Sequence, residues 1–135
     1  MEIGLTLPDE LPDVTRVELA RGYLEALTRT DRYLVRNGWV PPLYSTRVLY
    51  RLEPRGIEQF VDALTCYRRG WGDCAHLSAW RIAEYLEQGI EASPLFHARF
   101  MPRENRYDVH CVIRLPDGSQ EDPSRRMREL EKRRK

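Results

Sequence analysis

Apolar positions recur at helical spacing along the first two-thirds of the chain and alternate in the last third. Between residues 14 and 36, Val17, Leu19, Ala20, Leu24, Leu27 and Leu34 form an approximate stripe. That spacing predicts a long helix, stopped by Asn37-Gly38. Pro41-Pro42 forces extended chain. Residues 43–52 alternate, with Val48 and Tyr50 on one face and Leu49 on the other, which predicts a strand. Ile57, Phe60, Val61 and Leu64 stand at i, i+3, i+4 and i+7, which predicts a short helix over 57–64. After the loop Arg69-Gly70-Trp71-Gly72, Asp73 is placed to cap a helix running from Cys74 to about Gln88, with Gly89 at its end. The period then changes to two. Residues 90–100 and 107–115 predict strands separated by a polar loop at 102–106. Pro116-Asp117-Gly118 predicts a tight turn, residues 119–122 a short returning strand, and Pro123-Ser124 the start of a final helix. Helices, a central cysteine helix and an antiparallel meander make an α+β pattern.

The length of 135 residues suits one domain, expected to span the whole chain, with residues 1–12 as an N-terminal segment and 125–135 as a basic tail. With 41% hydrophobic and 32% charged residues, the composition excludes a wholly disordered chain. No apolar run is long enough for a membrane helix, and no membrane partner is expected. The acidic start, MEIGLTLPDELPD, lacks a signal-peptide pattern, so a cytoplasmic location is expected. Net charge is only +1, but seven of the 22 Lys/Arg and two of the 21 Asp/Glu lie in residues 125–135, leaving −4 elsewhere. That tail is the one place where nucleic-acid contact is expected. The favoured reading is a solvated, frayed helix, with residues after Met127 dispensable for folding.

Cys66, Cys74 and Cys111 are odd in number and irregularly spaced, which argues against a disulfide framework. A metal site is not expected. There is no CxxC pair, Cys74 and His76 give two ligands at poor helical spacing, and His110 and Cys111 point to opposite faces of a strand.

Cys74, as first residue of a capped helix, lies beside unpaired N–H groups and the positive end of the helix dipole, both of which favour thiolate. Gly70 and Gly72 are expected to let a substrate approach the backbone closely. His110 shares a strand face with Asp108, Val112 and Arg114. If Gly118 closes a three-residue turn, Leu115 faces Ser119 and Val112 faces Asp122, which puts Asp122 diagonal to His110. Such neighbours lie roughly 7–8 Å apart, within reach of an imidazole–carboxylate bond. A two-residue turn reverses the parity. Cysteine, histidine and aspartate so placed are a nucleophile, a base and an orienter. The Cys74 backbone N–H is one oxyanion donor. Trp39, Tyr44 and Gln59 are candidates for a second, and Trp71 and Asp73 beside the cysteine are counted as substrate-side candidates.

Three segments then resemble one family. Gly70-Trp71-Gly72-Asp73-Cys74-Ala75-His76-Leu77-Ser78-Ala79 is similar to the G-x-G-D-C motif of the transglutaminase-like cysteine peptidase superfamily. Tyr107-Asp108-Val109-His110-Cys111-Val112 is similar to its histidine strand, and residues 117–124 to its aspartate segment. Gly89-Ile90-Glu91-Ala92 is similar to the stretch that follows its cysteine helix. The resemblance covers about residues 38–127 and is nearest to short members from phage and prophage gene clusters. It implies a papain-like α+β core with the cysteine helix packed on an antiparallel sheet, a Cys74–His110–Asp122 triad, and thiol acyl chemistry on a peptide or protein, by hydrolysis or transfer. It implies no cofactor. The alternative it leaves open is a non-catalytic scaffold or accessory protein of phage particle assembly, with phage structural proteins as partners and a host-cytoplasm or virion location. His76 departs from the pattern, because related short proteins often carry an acid there. It is expected to pair with an exposed carboxylate, or else to alter substrate charge preference.

Overall fold

The computed structural model describes residues 2–6, 13–53, 57–103 and 106–134. In chain order the elements are β1 (Glu2–Thr6), α1 (Asp13–Arg36), a single 3-10 turn (Leu43–Ser45), β2 (Leu49–Tyr50), β3 (Ile57–Val61), α2 (Ala63–Arg69), β4 (Trp71–Gly72), α3 (Cys74–Glu87), β5 (Ser93–Met101), β6 (Arg106–Arg114), β7 (Gln120–Glu121) and α4 (Pro123–Arg133). The class is α+β. Strands β5, β6 and β7 form an antiparallel sheet in that order, β1 pairs antiparallel with β3, and β2 pairs parallel with β4. None of the described helices is long and apolar enough to cross a membrane.

The core is organised on α3. Leu77 and Trp80 join one buried cluster with Leu34, Leu43, Val48 and Met127. Ala79 joins a second with Leu24, Leu27 and Cys111, and Ile82 a third with Ala92 and Ile113. Each fully buried leucine or isoleucine contributes about 1.5–3 kcal/mol relative to exposure, so α3 is held from three sides. Its contacts run to α1, to β6 and to α4.

Two elements differ from the sequence pattern. The apolar spacing over 57–64 is divided between β3 and α2 rather than held on one helix. Asp62 breaks it: its Oδ1 accepts the Thr65 N–H at 2.8 Å and starts α2 late, while Ile57–Val61 pair with the N-terminal strand from Thr6 back to Glu2. A four-point helical match is too short to outweigh a partner strand that lies some 55 residues away. The strand expected over 43–52 shrinks to Leu49–Tyr50, because Leu43 N–H turns inward to Glu84 Oε2 at 2.7 Å and the chain winds into the 3-10 turn. Of the polar loop at 102–106, residues 104–105 lie outside the described chain.

The hairpin carrying the expected aspartate keeps the three-residue turn. Leu115 N–H bonds to Ser119 C=O at 2.9 Å, Gly118 has φ +86°, and Arg114 faces Gln120 while Ile113 faces Glu121. The left-handed conformation at Gly118 is open to glycine at little cost. Continuing the register sets Asp122 opposite Val112, on the His110 face.

The basic tail is not frayed. Met127 is fully buried and Leu130 packs beside it. Glu131 holds Arg51 at 3.0 Å, the Arg128 guanidinium lies 5.0 Å from the Tyr50 ring, and Arg134 reaches Thr46 C=O at 3.2 Å. The charged composition hid one apolar edge of α4, which docks on α3 and β2.

Candidate functional site

Asp122 ends the returning strand and caps α4. Its Oδ1 accepts the N–H groups of Ser124 and Arg125 at 3.1 and 3.3 Å, with Pro123 at the first helical position. Its Oδ2 lies 2.9 Å from His110 Nε2. Burial alone pushes this carboxyl up, but the His110 hydrogen bond and charge and the two backbone N–H groups outweigh it and leave the group below its ordinary value. The carboxylate accepts, so Nε2 carries a proton. Nδ1 is buried and has no hydrogen-bond partner among the described residues. His110 is 9% exposed and faces His97 across β5 and β6. An open cleft of about 610 Å³ lies on the Asp122 side of the ring, lined by Tyr44, His97, His110, Gln120, Asp122 and Arg125 among others.

Cys74 begins α3, as its residue pattern requires. Asp73 Oδ1 accepts the N–H of Ala75 at 3.0 Å and of His76 at 3.3 Å. Cys74 is half-buried and packs with Leu24, Leu27, Ala79 and Cys111. Cys111 is the neighbour of His110 along β6, and Ser78, one turn into α3, donates to its C=O at 3.2 Å. The start of the cysteine helix therefore packs on β6 at Cys111, the residue next in sequence to His110. Cys111 turns toward α3 there, while His110 turns toward Asp122. No hydrogen bond joins Nδ1 to the thiol in this arrangement, and Cys74 is not in the lining of the cleft.

The other two thiols are poor nucleophiles. Burial pushes Cys66 far up, with Asp31, Asp73 and Asp62 adding to it against Arg69. Burial raises Cys111 to about 12, against the Ser78 hydrogen bond and with the charges of Asp73 and Asp122 adding to it. The three cysteines are not disulfide-linked.

The remaining candidates separate. Trp39 is 55% exposed on the turn after α1. The Tyr44 hydroxyl donates to Glu121 Oε2 at 2.5 Å, and burial together with that carboxylate pushes its pKa up. It lines the cleft, but its proton is committed to Glu121, which also receives Arg81 Nε at 2.8 Å and the Tyr85 hydroxyl. Trp71 carries the Arg69 guanidinium 3.5 Å over its ring. Gln59 contributes main chain: its C=O lies 2.5 Å from His76 Nε2, and its N–H donates to Glu53 Oε2 at 3.0 Å. Gly72 does not serve a substrate. A Cβ there would stand 3.1 Å from Cys66 Sγ and 3.3 Å from both His76 Cβ and Leu77 Cδ2, so the missing side chain admits the core.

His76 corrects the expectation of an exposed partner. It is fully buried, and it completes a capping box by accepting the Asp73 N–H on Nδ1 at 3.2 Å. Its carboxylate neighbours are the buried Glu53, 3.5 Å from Nε2, and Asp73, 3.4 Å from Nδ1. Glu53, Asp73 and His76 put three ligand-type atoms within 4.8 Å of one another. Both imidazole nitrogens are nonetheless engaged by main chain, Nε2 donating to Gln59 C=O and Nδ1 accepting from Asp73, so the ring offers a metal no open lone pair. Glu53 was missed by sequence reasoning, since it lies twenty residues upstream in a polar stretch with no periodic signal.

Compared with protein-family models, with curated proteins and with solved structures, the chain matches none.

Proposed function

We propose that this protein carries out thiol-dependent acyl chemistry on a peptide or protein, with Cys74 as nucleophile, His110 as base and Asp122 as orienter. One observation carries the reading. A buried imidazole is held by a carboxylate on Nε2 and keeps an Nδ1 with no hydrogen-bond partner among the described residues, one residue along β6 from the Cys111 on which Cys74 packs. Hydrogen bonds between catalytic groups are often long before substrate binds, so a thiol that meets Nδ1 on binding fits the arrangement. His110 then takes the thiol proton, the thiolate attacks the acyl carbon, and the imidazolium returns a proton to the leaving amine. Water or a second amine releases the acyl group. Hydrolysis is favoured, because water needs no second binding site. The resemblance to transglutaminase-like cysteine peptidases, including their phage-encoded short members, supports the same chemistry.

The second reading is a non-catalytic scaffold or accessory protein in phage particle assembly. The absence of Cys74 from the cleft lining favours it. Selective alkylation separates the two. The active reading expects Cys74 to react with iodoacetamide near neutral pH ahead of Cys66 and Cys111, and a peptide-cleavage and amine-incorporation screen to lose all signal in Cys74→Ala. A Cys74 that titrates as an ordinary thiol, with no change in His110→Ala, favours the scaffold.

A further inference from the structure

The buried acid behind the cysteine helix is used by nothing described so far. The Glu53 side chain is only 5% exposed. Its Oε2 accepts one backbone N–H, from Gln59, while its buried Oε1 lies 3.5 Å from His76 Nε2. The hydrogen bond from Nε2 goes instead to Gln59 C=O. The Asp73 carboxyl lies in the same 4.8 Å cluster and caps the turn that begins with Cys74. Two buried carboxyls this close do not both ionise readily, and one retains a proton.

We propose that Glu53 is a positioning residue for Cys74: its carboxyl holds one proton against the Asp73 cap, and releasing that proton adds a second negative charge behind the first turn of α3, which makes the Cys74 thiol harder to ionise. The charged and titratable groups acting on Glu53 among the described residues are Asp73 and His76 at the start of α3, and Arg69 on α2 joins them through His76. Arg69 Nη2 lies 3.4 Å from His76 Nδ1 and partly neutralises the cluster. Burial first, then the Asp73 charge, with a hydrogen bond to Asp73 adding to them, raise the Glu53 carboxyl to about 7, against the Gln59 N–H and His76. The proton is therefore released across the pH range in which thiol chemistry runs. Its importance for turnover rests on the reading of Cys74 as the nucleophile, whereas its effect on the thiol does not.

The test is the pH profile of Cys74 alkylation by iodoacetamide in wild type, Glu53→Gln and His110→Ala, together with carbon-13 titration of the glutamate carboxyls in wild type. One glutamate carbon should titrate near pH 7 and vanish from the spectrum of Glu53→Gln. The wild-type alkylation profile should show an inflection at the same pH. Glu53→Gln should lose that inflection, and its thiol midpoint should fall by roughly half to one unit, a three- to tenfold gain in thiolate fraction below the midpoint. A Glu53→Gln profile superimposable on wild type overturns the proposal. So does a wild-type spectrum with no glutamate titrating above pH 6, whether or not the variant folds. If His110→Ala leaves the rate untouched while the Glu53 inflection persists, the nucleophile reading fails and the electrostatic coupling stands.

Discussion

Two helices of this molecule begin on an aspartate that has a histidine beside it. At α3, Asp73 caps the first turn and His76 sits three residues on, fully buried, with both ring nitrogens occupied by main chain. At α4, Asp122 caps the first turn and His110 comes from a separate strand, with Nε2 held and Nδ1 unpartnered among the described residues. The residue types are the same, and so is the capping. What differs is saturation. A ring whose nitrogens are both committed is a structural strut, because using either one breaks a buried hydrogen bond. A ring with one committed nitrogen is oriented and still basic. On the proposed reading the contrast also explains why His76, two residues from Cys74, is not the base, while His110, 36 residues away, is.

The contrast breaks most directly by removing each ring in turn. His110→Ala should lower Cys74 turnover, or its alkylation near pH 6.5, on the order of 10²–10⁴-fold. Its unfolding free energy in urea should fall by about 1–2 kcal/mol, because Asp122 keeps its cap bonds when the ring is lost. His76→Ala should do the reverse in kind. It leaves the Gln59 C=O and the Asp73 N–H without their partner and opens a cavity, a cost of about 2–4 kcal/mol in the same urea titration. Equal stability losses in the two variants would erase the distinction.

Asparagine at position 122 sharpens it. Asn caps helices about as well as Asp, so α4 should persist, but the charge that orients His110 is gone. Turnover should fall on the order of 10²–10³-fold. The stability difference has a defined pH dependence. The Asp122 carboxyl lies below its ordinary value in the folded chain, so its contribution is complete above the unfolded carboxylate range and disappears as pH falls through the folded value. Wild type should exceed Asp122→Asn by about 1 kcal/mol at pH 6 and match it near pH 2, as read by thermal unfolding at each pH.

Smaller effects probe the seat of each cap. Gly72→Ala pushes a methyl group into Cys66, His76 and Leu77 and should cost about 1–3 kcal/mol without touching the His110 pair. Truncation after Met127 removes Leu130 and the Glu131–Arg51 pair and should cost about 1–2 kcal/mol, measured by the melting temperature.

The two caps were unequally legible in the sequence. Asp73 followed by a run of good helix formers announces α3, and the Pro-Asp-Gly turn carries the parity that brings Asp122 to the His110 face, because a hairpin turn of known length fixes register without further information. Both signals are local. What escaped is non-local. The stripe Ile57, Phe60, Val61 and Leu64 fits a helix until the N-terminal strand is known to be there to pair with it. Glu53 has no pattern to betray its burial, since its partners are gathered from β3 and α3. The tail's charge masked Met127 and Leu130, two apolar residues among many cations, whose importance depends on the groove between α3 and β2 that receives them.

One carboxylate performs two tasks at Asp122: Oδ1 fastens the first turn of α4 and Oδ2 fastens the imidazole. Winding of that helix and aiming of the imidazole are therefore a single cooperative event. A fluctuation that unwinds the Ser124–Arg125 turn frees the carboxylate to rotate, and the ring loses its tether at the same moment. Amide hydrogen exchange at Ser124 and Arg125 thus becomes a clock for the site. Conditions that speed exchange there should release the His110 ring well before the buried faces of α3 let go, so that the heat-labile part of the site is one helix turn and not the core.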